Sequence, residues 1–403
     1  MKIKIKSFTI NIASLIPILF CTVWFIQAAY MSPKAFNINI VIRSLFSILL
    51  VANLMLYKDL SRLKRYVPVP VVIYAVSIIA SSIMNKLPLS SIFISIGVAF
   101  GYLAAFSMFG IRKGVHIENV MDGLYFIIQF FTLLNILNIV IWPEGLWKNA
   151  TGRAAIYFNG GKFSVFYLYI LFMVTVFIRD IKRYGKIYIE KGIALYCIGS
   201  FVMLRSQCIS GVLGITIFSG VIFFYIFHKS TTSKSRKRTW LIPVLLIAFA
   251  LIIYLVLFAR IQENFSWFRY LMYDVLNKEL SIDGRYRVYS GILKLMRGHW
   301  KWGYGYGNSV IYNSFRIQNA QNGFLEVLLN YGIFGFIIFI WIIIYLFRIF
   351  LKNAETRWER GIILSVLTVY LFFGVFEVPF NLYFFITCGM LYHSKWFINH
   401  SVQ

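Results

Sequence analysis

The chain alternates long apolar runs with short, basic polar stretches, a pattern that predicts helices crossing a membrane. The runs are about 18 to 22 residues long, the length a helix needs to traverse the hydrocarbon core with its backbone hydrogen bonds satisfied internally. After a basic start at 1–6, a first uncleaved helix is predicted to extend to about 29. Further spans are predicted at 37–56, 67–84, 87–110, a run ending near 142, a run ending at 178, 193–204, 211–228 and 240–258. A tenth returns by about 350, and two shorter ones close the chain at 362–377 and 382–398. That makes about twelve, in a single integral membrane domain over 1–403. The one long segment too polar to cross lies at 260–335.

Composition sharpens this pattern. With 60% hydrophobic and 13% charged residues, the chain could not keep its apolar surface dry as a water-soluble globule. The net charge of +26 might point to nucleic acid in a soluble protein, but here the cations sit in short loops between the apolar runs. Lys58, Arg62, Lys64 and Arg65 form one such loop, Arg112 and Lys113 a second, and Arg179, Lys182, Arg183, Lys186 and Lys191 a third. The most basic loop is KSTTSKSRKRT, and another charged one lies at 352–360. By the positive-inside rule these loops and both termini are cytoplasmic. The loops at 143–162 and 260–322 are then extracytoplasmic, the second expected to hold short amphipathic helices. Cys21, Cys197, Cys208 and Cys388 lie in or beside apolar runs without metal-ligand spacing. No HExxH, Cys-x-x-Cys or Ser-His-Asp pattern is present, and no internal repeat of the transporter kind.

Arginines on the outer side are exceptions to the charge rule, and so carry information. Arg153 precedes an aromatic and glycine-rich stretch, Tyr157 to Gly161. A guanidinium grips two phosphate oxygens through its planar fork, although an anchor in the interfacial aromatic belt is the alternative for Arg153. Arg205 opens the outer turn RSQCIS. In the large loop, Arg285 and Tyr289 are four apart and share a helix face that excludes Arg287, while Lys294 and Arg297 fit a helix lying on headgroups. GYGYG, with Gly303 and Gly305, permits close backbone approach to a ligand but is no P-loop. Gln321 and Gly332 lie eleven residues apart and can flank a half-helix over 323–335 whose first amides face outward. A single tilted helix from 324 to 350 is the alternative. Asn322 and Glu326 share a face of that segment, Glu377 is a second outer carboxylate, and His299 is the one histidine in the outer loops. Arg43 lies within a span and is expected to face the bundle interior.

These residues form an ordered set: Arg153 before a glycine-asparagine turn, Asp283-Gly284-Arg285 opening the large loop, GYG, then Asn322 before YGIFG. The set resembles the Wzy/O-antigen ligase family of integral-membrane glycosyltransferases, as does the large outer loop before the last few spans. The match is strongest from about 193 to 335. The resemblance implies an all-α, GT-C-like fold, no metal and no cofactor. It implies that Arg153 and Arg285 bind the diphosphate of an undecaprenyl-diphosphate-linked glycan at the outer face of a bacterial cytoplasmic membrane, with a flippase and a chain-length regulator as partners. Glu326, Glu377, Asp283 and His299 are the candidate bases, and Arg205, Arg287, Tyr289, Gly303, Gly305, Gln321 and Asn322 the candidate substrate contacts. Two departures stand out. Ligases of the family carry a histidine where this chain has Gln321, which cannot act as a base at neutral pH. The Ser-Arg-Gly pattern after the seventh span is reduced to Ser210-Gly211. The first departure favours a polymerase over a ligase.

Overall fold

A computed structural model describes residues 2–5, 8–26, 33–57, 66–109, 117–148, 155–227, 266, 282–354 and 356–393. The predicted ninth span at 240–258 and the basic loop before it lie outside the described residues. Thirteen helices occur among the described residues. They are α1 (Ile12–Phe25), α2 (Pro33–Tyr57), α3 (Val69–Met84), α4 (Leu89–Ser107), α5 (Ile117–Ile141), α6 (Lys162–Tyr184), α7 (Ile189–Arg205), α8 (Ile209–Phe227), α9 (Ile282–Leu295), α10 (Val310–Phe315), α11 (Gly323–Asn353), α12 (Arg357–Phe376) and α13 (Leu382–His393). Their ends follow ordinary helix chemistry. Pro68 and Pro88 stand at the N-caps of α3 and α4. Gly185 ends α6 at φ 66°. Thr356 and Glu359 form a reciprocal capping box on α12.

Two small antiparallel ribbons were not anticipated from the sequence. β1 (Lys2–Ile5) pairs with β2 (Phe8–Asn11), so the first apolar run is helical only from Ile12. The alternation of KIKI has the period of a strand, and that local pattern prevails before the continuous run begins. The second ribbon, β3 (Trp147–Lys148), β4 (Ala155–Tyr157) and β5 (Gly160–Gly161), lies in what the sequence showed as a loop.

Among the described residues five helices are long and apolar enough to cross a membrane, within α4, α5, α6, α11 and α12, and several shorter apolar helices accompany them. The exposed side chains agree: Phe126, Phe130, Leu133, Leu137 and Ile141 form a ridge along α5 at helical spacing. In water such a ridge would be costly, whereas against lipid it is the expected outer face. The protein is a multi-pass membrane protein. α6 runs through the middle, with 83% of its apolar window buried, and contacts α5, α7, α8, α12 and α13. α2 packs on α4, α1 on α5, α8 on α12, and α3 between α4 and α11.

The loops gather at two ends. At the upper end, Asn159 Nδ2 donates to the Phe25 carbonyl (3.1 Å), Lys162 Nζ to that of Gln207 (3.3 Å) and Asn322 Nδ2 to that of Val375 (2.8 Å). There too the Tyr306 N–H donates to Ser82 Oγ (3.1 Å). At the lower end, His393 Nε2 lies 3.0 Å from the Tyr66 carbonyl and Lys191 pairs with Asp180 at 2.7 Å.

Candidate functional site

The upper end has a small core of its own. α9 buries Val288, Tyr289 and Ile292 on one face, joined by Met296 just past its end, against Ile311, Ala320 and Leu329. Fourteen residues that include Asp283, Arg285, Arg287 and Lys294 are too polar for lipid, so this cluster is held by exclusion of water. Burying Ile292, Met296 or Leu329 contributes about 1.5–3 kcal/mol each. The Tyr289 hydroxyl donates to the Gln321 carbonyl at 3.0 Å, tying α9 to the start of α11.

α11 is interrupted at Gly332, which has φ 65° and ψ −167°. That backbone conformation is essentially restricted to glycine. The break frees carbonyls that a continuous helix would satisfy, and the glycine loop satisfies them. Tyr304 N–H donates to Leu329 O and Gly305 N–H to Asn330 O, both at 2.8 Å, while Ile333 N–H donates to Trp300 O at 2.8 Å. The two backbones touch: a Cβ on Gly303 would lie 2.4 Å from Leu329 O, and one on Gly332 would lie 2.2 Å from Lys301 O. The sequence offered Gly303 and Gly305 for close approach to a ligand. What approaches them is the chain itself, at α11 for Gly303 and at Ser82 and Leu87 for Gly305.

A polar network extends from this junction. Glu326 accepts from the Ala320 N–H (2.7 Å) through Oε2 and from Asn330 Nδ2 (3.0 Å) through Oε1. Asn330 Oδ1 accepts from Asn308 Nδ2 at 2.8 Å, and Asn308 also binds Gly305 O and the Val310 N–H. The Ser81 hydroxyl shares its one proton between Asn330 O (2.8 Å) and Trp302 O. The Tyr306 N–H reaches Ser82 Oγ, which is in turn 2.7 Å from Ser95 Oγ. Burial and the neighbouring Glu326 carboxylate push the Tyr306 phenol up, against the Arg43 guanidinium. Burial likewise raises Tyr304, so both phenols stay protonated.

Arg43 is therefore part of this region. It donates to the Val23 (3.1 Å) and Ile26 (2.7 Å) carbonyls at the end of α1 and lies 5.3 Å over the Trp24 ring. Carbonyls at a helix C-terminus carry partial negative charge, which makes a guanidinium within a span tolerable.

The sequence-predicted residues divide into distinct groups. Arg153 lies outside the described residues, two positions before β4. Arg285 and Asp283 are in the first turn of α9, with side chains outside the described part. Arg287 is exposed, and Arg205 is exposed at the end of α7. Asn322 is a cap: its Oδ1 accepts from Phe324 and Leu325 N–H while its Nδ2 holds Val375 O, so its polar atoms are engaged in packing. Gln321 sits at φ 51°, its backbone N–H donating to Asn319 Oδ1. His299 stacks on Tyr304 at 4.1 Å. Glu377 is the C-cap of α12, two residues beyond the Val375 carbonyl held by Asn322. Tyr289, Gln321, Asn322, Glu326, Gly303, Gly305 and His299 thus share one assembly, with Glu377 at its edge. Sequence reasoning missed Tyr306, Asn308 and Asn330. Only Asn330 had a local signal, its spacing of four from Glu326 on one helix face.

Fold and site together define a multi-pass helical membrane protein with a folded polar cap at one end. No protein-family model and no curated protein matches the chain. The family reading therefore rests on the ordered motifs.

Proposed function

We propose that the protein joins undecaprenyl-diphosphate-linked oligosaccharide repeat units into a surface polysaccharide at the outer face of a bacterial cytoplasmic membrane. The observation that carries this reading is the upper assembly. The motif-bearing stretches, α9 with Arg285 and the broken start of α11, are locked together by the GYGYG loop and docked on an apolar bundle. A lipid-linked donor would lay its isoprenoid against the bundle and its diphosphate on Arg153 and Arg285.

A hydroxyl of a second lipid-linked unit attacks the anomeric carbon, the C–O bond to the diphosphate breaks, and the diphosphate leaves with the electron pair. Arginines fixed in advance stabilise that growing charge, so no metal is required. The hydroxyl proton passes to a base or to the departing diphosphate. Glu326 already accepts on both oxygens, so in this scheme it holds the polar network together, and Glu377 and His299 are the groups at the cap for the proton. Gln321 in the ligase histidine's place favours polymerisation over transfer to a different acceptor.

The test uses purified protein in liposomes with defined lipid-linked repeat units. Arg285→Ala should cut chain extension by at least about 100-fold, the scale of removing one preorganised donor, with insertion and folding intact. Polymer of wild-type length from that variant would remove the anchor of the scheme. In cells, loss of a polymerase leaves single repeats outside the membrane, whereas loss of a flippase leaves them inside.

A further inference from the structure

At the lower end, the start of α5 and the end of α6 enclose a cleft of ≈ 240 Å³ lined by Met121, Asp122, Tyr125, Thr175, Ile178, Arg179, Lys182 and Arg183. We propose that this cleft binds the phosphate of an anionic phospholipid headgroup from the leaflet opposite the polar cap. Three cations face one carboxylate, Asp122, which is exposed at the rim. The neighbouring Asp180 is not part of the lining and is held through Oδ1 on Lys191 at 2.7 Å.

Arg179 is the group in the cleft that most needs a partner. Its guanidinium lies 4.1 Å over the Tyr125 ring, which fixes its plane, and its Nε is buried with no acceptor among the described residues. A buried charged donor without an acceptor costs about 1–3 kcal/mol or more, and a phosphoryl oxygen supplies the acceptor that a guanidinium fork matches best. The Thr175 hydroxyl, in the same lining, donates to the Phe172 carbonyl and makes no hydrogen bond with Arg179 Nε.

The position selects the lipid. Directly beyond Tyr125, the exposed ridge of Phe126, Phe130, Leu133 and Leu137 runs up α5. A headgroup in the cleft would lay an acyl chain along that ridge, an arrangement unavailable to free phosphate. Basic pockets between spanning helices at a membrane surface are suited to anionic headgroups.

The experiment extracts the full chain from vesicles of phosphatidylcholine with phosphatidylglycerol and weighs it by native mass spectrometry, with inorganic phosphate as a competitor. The wild type should retain phosphatidylglycerol, and Arg179→Gln and Arg183→Gln should each lower the retained fraction about tenfold, while Arg316→Gln, exposed at the upper end, should not. Arg183 is exposed, so its variant keeps the test valid if Arg179→Gln does not fold. Equal retention by the wild type and both lower-end variants would overturn the site. Complete displacement of the lipid by inorganic phosphate, or binding of phosphate without lipid, would overturn the assignment to a headgroup.

Discussion

Between 287 and 335 no buried side-chain nitrogen or oxygen lacks a hydrogen-bond partner among the described residues, whereas at the lower end both Arg179 Nε and Asp180 Oδ2 do. The two ends solve different problems. The upper cap is a water-exposed fold that must find its own shape, so its small core and its network of Glu326, Asn330 and Asn308 leave no buried group open. The lower cleft lies between two spanning helices that need nothing from it to fold, and it keeps a cation in reserve. A satisfied network specifies a geometry, while an unsatisfied one invites a ligand.

The largest effect should come from the junction that makes the cap one body. Gly332→Ala puts a side chain at φ 65° and within 2.2 Å of Lys301 O. Backbone strain alone costs about 1–3 kcal/mol there, and the clash adds to it. Unfolding in detergent should shift by at least about 3 kcal/mol, and protease should cleave the 296–322 region. Gly220→Ala on α8 is the control: nothing lies within 4 Å of its Cβ, and it should be neutral or slightly stabilising. Equal behaviour of the two variants would mean that the glycine loop does not plug the helix break.

A smaller loss is expected from the network itself. Asn330→Ala strips a donor from Glu326 Oε1 and an acceptor from Asn308, an expected cost of about 1–3 kcal/mol. Combined with Asn308→Ala, the pair should be non-additive by at least about 0.5 kcal/mol. Strict additivity in thermal unfolding would show that the three residues do not act as a chain.

How much of this was legible in the sequence depended on whether the partners were local. The long apolar runs announced α4, α5, α6 and α12, because span length and burial are written into each run separately. A break in α11 could be anticipated from YGIFG. That GYGYG would fill it could not, since the carbonyls of Leu329 and Asn330 are backbone groups with no residue signature. Arg43 was recognisable as costly in lipid, but its partners are the Val23 and Ile26 carbonyls, which become available only because α1 ends at Phe25. The stretch Tyr157 to Gly161 read as an aromatic and glycine-rich loop beside a candidate phosphate-binding arginine. Instead Asn159 is fully buried against Asn135 and the Phe25 carbonyl, and the Tyr157 hydroxyl donates to the Pro143 carbonyl. Buried asparagine and exposed asparagine look the same in a sequence.

The smallest effect is the one that separates the two ends most sharply, because it depends on the bilayer. In zwitterionic vesicles Arg179→Gln gives up its stacking on Tyr125, about 0.5–1 kcal/mol, but also relieves the unpartnered buried Nε, so its stability should stay within about 1 kcal/mol of the wild type. With anionic lipid present, the wild type should gain stability in proportion to the logarithm of lipid concentration over its dissociation constant, since only the folded cleft binds. The variant should not. At a hundredfold excess over that constant the gain is about 2.7 kcal/mol, so the wild type and Arg179→Gln should diverge as phosphatidylglycerol is added. Asn330→Ala carries an intact cleft and should show the full lipid-dependent gain from its lower baseline. If Asn330→Ala lost the lipid response, or Arg179→Gln kept it, the two ends would be energetically one system, and the contrast between a closed cap and an open cleft would fail.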